Sequence, residues 1–238
     1  MKRIFLVCFA LTIMIIQGCS SMGSKPMTAQ GLFDRHMAAT YGSKGPSAFP
    51  SVTTSGKLFI DSFGLEAAVK ARQMAPDSSS TLASVMGMEL HIGCHAGECW
   101  EQAPGAGIAK LSGDRLTFQL QQADLSQYSH MDQYYATLEI VPEAEGVESN
   151  TVEVRATREN GSSDSYFFAK DSGLIQKTVL DAFTAQGKMK VTANSKKYAE
   201  FNGLTLATEV EQVTPMATIR IVIEDVSFDA LSAADFKH

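Results

Sequence analysis

The chain has 238 residues, of which 45% are apolar and 19% charged, and it carries a formal net charge of −6 at neutral pH. That composition is globular, and the length fits one large domain able to bury a core without disulfide staples. The acidic balance argues against a nucleic-acid footprint, which needs a basic face.

Residues 1–18 read as an export signal: Lys2 and Arg3 form a positive start, and Ile4 to Ile16 is an apolar run short for a membrane-spanning helix. The run ends in Ile16-Gln17-Gly18-Cys19, which resembles a bacterial lipobox and makes Cys19 the expected lipidation site. Acyl chains there would hold the protein on a leaflet, each buried methylene adding ~0.8 kcal/mol. By resemblance to enterobacterial sorting rules, Ser20 in place of an aspartate favours the outer membrane, facing the periplasm. Loss of residues 1–18, with Lys2 and Arg3 but no acid, leaves 220 residues and moves the charge from −6 to −8.

Residues 19–28 form a small polar tether, and residues 29–238 the expected single domain. Thr28 is a candidate N-cap, and Phe33, Met37 and Tyr41 share one helix face before Gly42 ends the element. From Pro50 the period changes to two. Val52, Leu58 and Ile60 alternate with polar residues, and so do Leu65, Ala67, Val69 and Ala71 after a short turn at "FGL". "TLASVMGMELHIG" and "CWEQ" continue the meander, with Gly87 and Gly93 as bulge or bend points. A second helix is expected in "LSGDRLTFQLQQADLSQY", where Ser112 can cap and Leu116 and Leu120 share a face. Strands then resume to the end, the clearest being "ATIRIVIEDVSF" with Ile219, Ile221 and Ile223 on one face. Many short strands joined by hairpins, with two helices, define an antiparallel α+β domain whose apolar sheet face needs a cover.

The stretch "HIGCHAGECW" holds Cys94, Cys99, His91 and His95, and three readings apply to it. Four such side chains can hold zinc. The thiols can be free. Alternatively, the two cysteines end a four-residue hairpin loop, which in an oxidising compartment favours a disulfide, the reading preferred here. Such a short loop stabilises by about 1 to 2 kcal/mol. Hydrolase, nucleotide and metalloprotease motifs are absent, and "PGAGIAK" lacks the rest of a phosphate-binding loop. Methionines are scattered as core filling. No cofactor is expected.

The order of elements resembles the LolA/LolB/LppX-like lipoprotein carrier superfamily, in particular its outer-membrane lipoprotein-sorting branch. The resemblance rests on the lipobox, a helix ending in Tyr41-Gly42, "SGKLFID", a hairpin ending in Cys99-Trp100, "SGDRL", "SYFFAKDSGLIQKTV", "KKYAEFNGLTLATEVEQV" and "IRIVIEDVSFD". Ala207 or Thr208 stands where the family commonly has a proline. The resemblance implies a strongly curved, incompletely closed antiparallel β-barrel covered by helices, whose concave apolar face receives acyl chains, and it brings no catalytic residue. Strand phase then nominates Leu58, Ile60, Val69, Val154, Leu206, Ile219 and Ile221 as cavity residues, and an aromatic in the family's hairpin adds Trp100, for which plain core packing is the preferred reading. The expected function is a non-enzymatic, lipid-anchored carrier of lipid or lipoprotein acyl chains. The alternative is an assembly lipoprotein that holds a protein partner.

Overall fold

The period-two patterning produces thirteen strands that join into one antiparallel sheet in a computed structural model of the chain, which describes residues 27–143, 149–184 and 187–237. The export signal, Cys19 and nearly all of the tether lie outside the described residues. No helix among the described residues is long and apolar enough to cross a membrane.

Helix α1 (Ala29–Tyr41) comes first, with the Thr28 hydroxyl accepting from the Gly31 N–H at 3.0 Å. Strands β1 (Ser51–Ile60), β2 (Leu65–Met74), β3 (Ser78–Val85), β4 (Met88–His95), β5 (Glu98–Gln102) and β6 (Ile108–Lys110) follow as successive hairpins out to one sheet edge. Residues 111–136, with helix α2 (Gly113–Ala123) and two 3-10 turns, then cross to the opposite edge. From there β7 (Thr137–Val141), β8 (Thr151–Thr157), β9 (Ser163–Ala169), β10 (Ile175–Thr184), β11 (Gly187–Phe201), β12 (Leu204–Val213) and β13 (Thr218–Ser227) return inward, and β13 pairs with β1. The two edge strands, β6 and β7, do not pair, so the sheet is open and the crossing segment bridges it.

Register fixes which side chains share a face, because directly paired residues point the same way. One row runs through Val154, Tyr166, Thr178, Ala193, Gln212 and Ile219 from β8 to β13. Another joins Val210, Ile221, Leu58 and Ala67. Between them and α1 lies the core, so this is the inner face. Where β1 meets β13 the register slips between Ser55 and Gly56, and a Cβ at Gly56 would lie 2.0 Å from the Val222 carbonyl oxygen. Only glycine allows the two strands to approach at this bend.

The helix stripe packs as its spacing predicts. Leu32 and Phe33 insert among Met131, Tyr135, Val154, Tyr166 and Phe168, while Met37 and Tyr41 meet Phe49, Val52 and Leu204. The second set lies at the strand ends near Val52, Leu204 and Val226, so α1 covers one end of the inner face. Helix α2 lays Leu116 and Leu120 against Cys94, Cys99, Leu111 and Ile92.

Four expectations change. The two expected helices, α1 and α2, are the α-helical cover among the described residues, and they leave the middle of the sheet bare where a barrel face covered by helices was expected. Helix α2 stops at Ala123 instead of reaching Tyr128, because the Asp124 carboxylate accepts the Ser126 N–H and hydroxyl, both at 2.8 Å, and turns the chain. Met86-Gly87 is a hairpin tip, and Gly93 keeps an unbroken register; it is small because a Cβ there would stand 2.7 Å from the Trp100 ring. The segment after "PGAG", read as loop, ends in the edge strand β6.

Candidate functional site: an apolar trough left open by the helices

Burial along the inner face is graded. At the α1 end, Val52 and Leu204 are 7% and 2% exposed. Toward the other end of the same strands, Leu58, Ile60, Leu65, Val69, Val210, Ile219, Ile221 and Ile223 are only half-buried, with Ala67 the exception at 2%. These side chains make an apolar strip across β2, β1, β13 and β12 that no helix seals. An apolar surface kept concave and partly wet is the usual signature of a place for a ligand.

Seven of the nominated residues, Leu58, Ile60, Val69, Val154, Leu206, Ile219 and Ile221, share this face. They are not equivalent. Val154 is fully buried under α1 with Phe33, and Leu206 packs toward Met37 and Tyr41, so both belong to the plugged end. Leu65, Val210 and Ile223 complete the strip and follow from the same alternation.

Trp100 is 4% exposed, as core packing expects, but it does not line the trough for which the hairpin resemblance nominated it. It neighbours Cys99 along β5 and therefore points to the opposite, outer face. There it lies under the 3-10 turn Ala233–Phe236, its indole N–H donating to the Phe236 carbonyl at 3.3 Å, with the His91 ring edge-on at 4.5 Å. His91 and His95 share this outer face and accept from or donate to the Ser80 and Ser78 hydroxyls at 2.8 and 2.9 Å. Cys94 and Cys99 are joined in a disulfide on the inner face, beneath α2 and 0–1% exposed. Their sulfurs and the imidazoles thus stand on opposite sides of the sheet. The hairpin tip is two residues, Ala96 and Gly97, both with positive φ, which brings Cys94 and Cys99 directly opposite each other.

The bridging segment is held by polar ties that sequence reading did not find. Asp164, 1% exposed on β9, accepts from the Tyr135 hydroxyl and Arg158 Nη2, both at 2.6 Å, and from the Asp181 N–H at 2.7 Å. Gln121 of α2 donates to the Tyr135 hydroxyl at 3.0 Å, and Arg158 reaches the Gln121 carbonyl at 3.3 Å. Burial, reinforced by the nearby Asp164 charge, pushes the Tyr135 phenol well above its ordinary range, so it stays a donor. Arg115 of α2 pairs with Glu101 on β5. A second knot centres on Asp124, which also takes the Tyr134 hydroxyl and His130 Nε2 at 2.6 Å each. Burial would raise its carboxyl, but the hydrogen bonds from Tyr134, Ser126 and His130 outweigh it and hold it below the usual range. Members of these knots come from residues 101 to 181, and no short motif marks them.

Within α1, His36 lies 9% exposed beside Tyr128, facing a cavity of about 140 Å3 lined also by Met37, Tyr41, Gln73 and Asp124. Burial lowers its pKa to about 4, so the imidazole is neutral near pH 7.

An open antiparallel half-barrel, meandering out to one edge and back from the other, with a helical segment across its mouth, defines a LolA-like fold. Solved structures agree. A DUF1329 family protein from Desulfovibrio piger superposes with a TM-score of 0.59 at 13% identity, over 88% of this chain and 96% of that one. A LolA superfamily protein from Nitrosomonas europaea gives 0.58 at 10% identity, over 89% and 98%. A domain named for outer membrane lipoprotein sorting, from Vibrio parahaemolyticus, gives 0.57 at 11%, over 88% and 97%. No family model matches the sequence, and no curated protein matches it. At these identities the likeness is one of fold.

Proposed function

We propose that the protein is a carrier or binding protein that shelters acyl chains, of lipoproteins or of lipids, in the trough across β2, β1, β13 and β12. The observation that carries this reading is the row of half-buried aliphatic side chains Leu58, Ile60, Val69, Val210, Ile219 and Ile221 on a concave face whose other end is plugged by α1. From Thr54, past the end plugged at Val52, to Ile60 the strand spans roughly 20 Å at ~3.3 Å per residue, a length suited to a long chain. Each methylene moved from water onto this surface contributes about 0.8 kcal/mol. Binding needs no charged partner and no reacting group, which fits a non-enzymatic role. The solved structure named for lipoprotein sorting supports the reading at the level of fold.

In this reading residues 1–18 are removed, Cys19 carries the anchor, residues 19–28 are the tether, and residues 29–238 form the binding body on the periplasmic side of the outer membrane. Native mass spectrometry of protein purified from membranes, followed by lipid extraction, tests the cargo. Bound lipid released by denaturation is the expected result. Protein free of lipid, which also fails to bind fluorescent fatty acids, contradicts it; a stoichiometric protein partner would point to the assembly role instead.

A further inference from the structure

The inner face of β2 changes character along its length. Leu65, Ala67, Val69 and Ala71 are apolar, and the next residue of the same parity, Gln73, carries an amide. Gln73 pairs with Val52, so it stands at the α1 end, where the crossing segment also arrives. It lines the cavity of about 140 Å3 that His36 faces, together with Thr40 of α1 and Asp124, Gln127 and Tyr128 of the crossing segment. From Val69 in the trough to Gln73 the strand advances about 13 Å at ~3.3 Å per residue, with the single methyl group of Ala71 between them. Trough and cavity are thus consecutive compartments along one strand. His36 is 9% exposed, and its Nδ1 is buried without a hydrogen-bond partner. A buried ring nitrogen left unpaired costs the fold free energy, so native structures rarely keep one without a use.

We infer that this cavity receives the head of the lipid held in the trough, and that the head is uncharged, bears hydroxyls and is about the size of glycerol. The inference rests on the carrier reading for the lipid's apolar tail. Charge selects the class of head. No Lys or Arg lines the cavity, and the ionised group there, Asp124, repels a carboxylate or phosphate. Nor does Asp124 offer an ammonium head a free site. Its Oδ1 accepts from the Ser126 N–H and hydroxyl, and its Oδ2 is taken by the Tyr134 hydroxyl and His130 Nε2, which together fill the lone pairs. What remains is neutral and of mixed polarity: the His36 imidazole, the Thr40 and Tyr128 hydroxyls and the Gln73 and Gln127 amides. A polyol both donates and accepts at each oxygen, so it pairs with such a set and supplies the partner that His36 Nδ1 lacks; a simple ester leaves the acceptors unpaired. Size sets the limit. A protein cavity of roughly 150 Å3 holds one benzene, so this one takes a head of about six heavy atoms.

Affinities of the full chain for 1-palmitoylglycerol, methyl palmitate and palmitate, measured by displacement of a fluorescent fatty acid, test this. The three share one tail and differ in the head: hydroxylated and neutral, neutral without hydroxyls, and anionic. Expected is binding of 1-palmitoylglycerol about 10-fold tighter than of methyl palmitate, with palmitate no tighter than the ester. Gln73→Leu and Thr40→Val, made separately, should each shrink that ratio to about 3-fold or less. Equal binding of the two uncharged lipids, palmitate as the tightest ligand, or a ratio unchanged in both variants overturns the inference. If none of the three lipids binds, the carrier reading fails, and free glycerol then decides on the cavity alone. With 15N-labelled histidine, the ring signals that His36→Leu removes should shift on addition of glycerol at molar concentration, and should not shift in Gln73→Leu. Ring signals that glycerol leaves in place overturn the inference at the level of the cavity itself.

Discussion

Asp164→Asn removes one negative charge from a place where the Arg158 side chain is 12% exposed and the Asp164 side chain 1%. The asparagine keeps the volume and one acceptor, so the Asp181 N–H or the Tyr135 hydroxyl can still be satisfied, but the guanidinium is left buried without its counter-charge. Breaking such a pair from one side costs about 3 to 5 kcal/mol. The retained size and Arg158's other acceptors, Gln121 and the Tyr135 hydroxyl, place the expected loss near the lower bound, ~3 kcal/mol. Urea unfolding followed by circular dichroism should show a lower midpoint at an unchanged slope. The double variant Asp164→Leu, Arg158→Met removes both charges and should recover at least half of the loss. A loss under about 1 kcal/mol, or a double variant no better than the single one, would refute the assignment of Asp164 as the charge that holds the bridging segment to β8 and β9.

His36 binds its proton less readily folded than unfolded, so the unfolded state holds more protons between about pH 6.5 and pH 4, and stability falls as pH drops through that window. The shift corresponds to about 3 kcal/mol, and His36→Leu should flatten that part of the curve relative to the wild type, measured as unfolding midpoints at pH 7 and pH 4.5. The Cys94–Cys99 bond should resist a water-soluble reductant until α2 lifts, and Leu120→Asp should speed its reduction, read by thiol alkylation and mass; equal rates would disprove the shielding. Once reduced, the hairpin should lose about 2 kcal/mol of stability. Gly93→Ala forces the Trp100 ring off its seat and should destabilise by about 1 to 3 kcal/mol with a change in tryptophan fluorescence; an unchanged spectrum would contradict the close approach.

What the sequence made legible was periodic and local. Alternation in "ATIRIVIEDVSF" and around Leu58 put the right residues on one face, because side-chain direction in a strand follows parity alone. The stripe of Phe33, Met37 and Tyr41 likewise marked the buried side of α1. Parity also contained the correction for Trp100: as the neighbour of Cys99 it had to face the other way, and the resemblance drew it to the cavity. The bare middle of the trough was not legible, since the sequence gives no measure of how far two helices extend over thirteen strands. Nor was the Asp164 knot, whose members Gln121, Tyr135, Arg158 and Asp164 meet only after β7, β8 and β9 are paired.

Photo-crosslinking with a diazirine-bearing palmitate, followed by peptide mapping, tests the central claim most directly. The account predicts adducts on the inner-face segments around Leu58, Val69, Val210 and Ile221, and their loss in Ile221→Glu with the fold retained. Adducts spread over the outer face around Trp100 and Lys177, or labelling unaffected by Ile221→Glu, would contradict it.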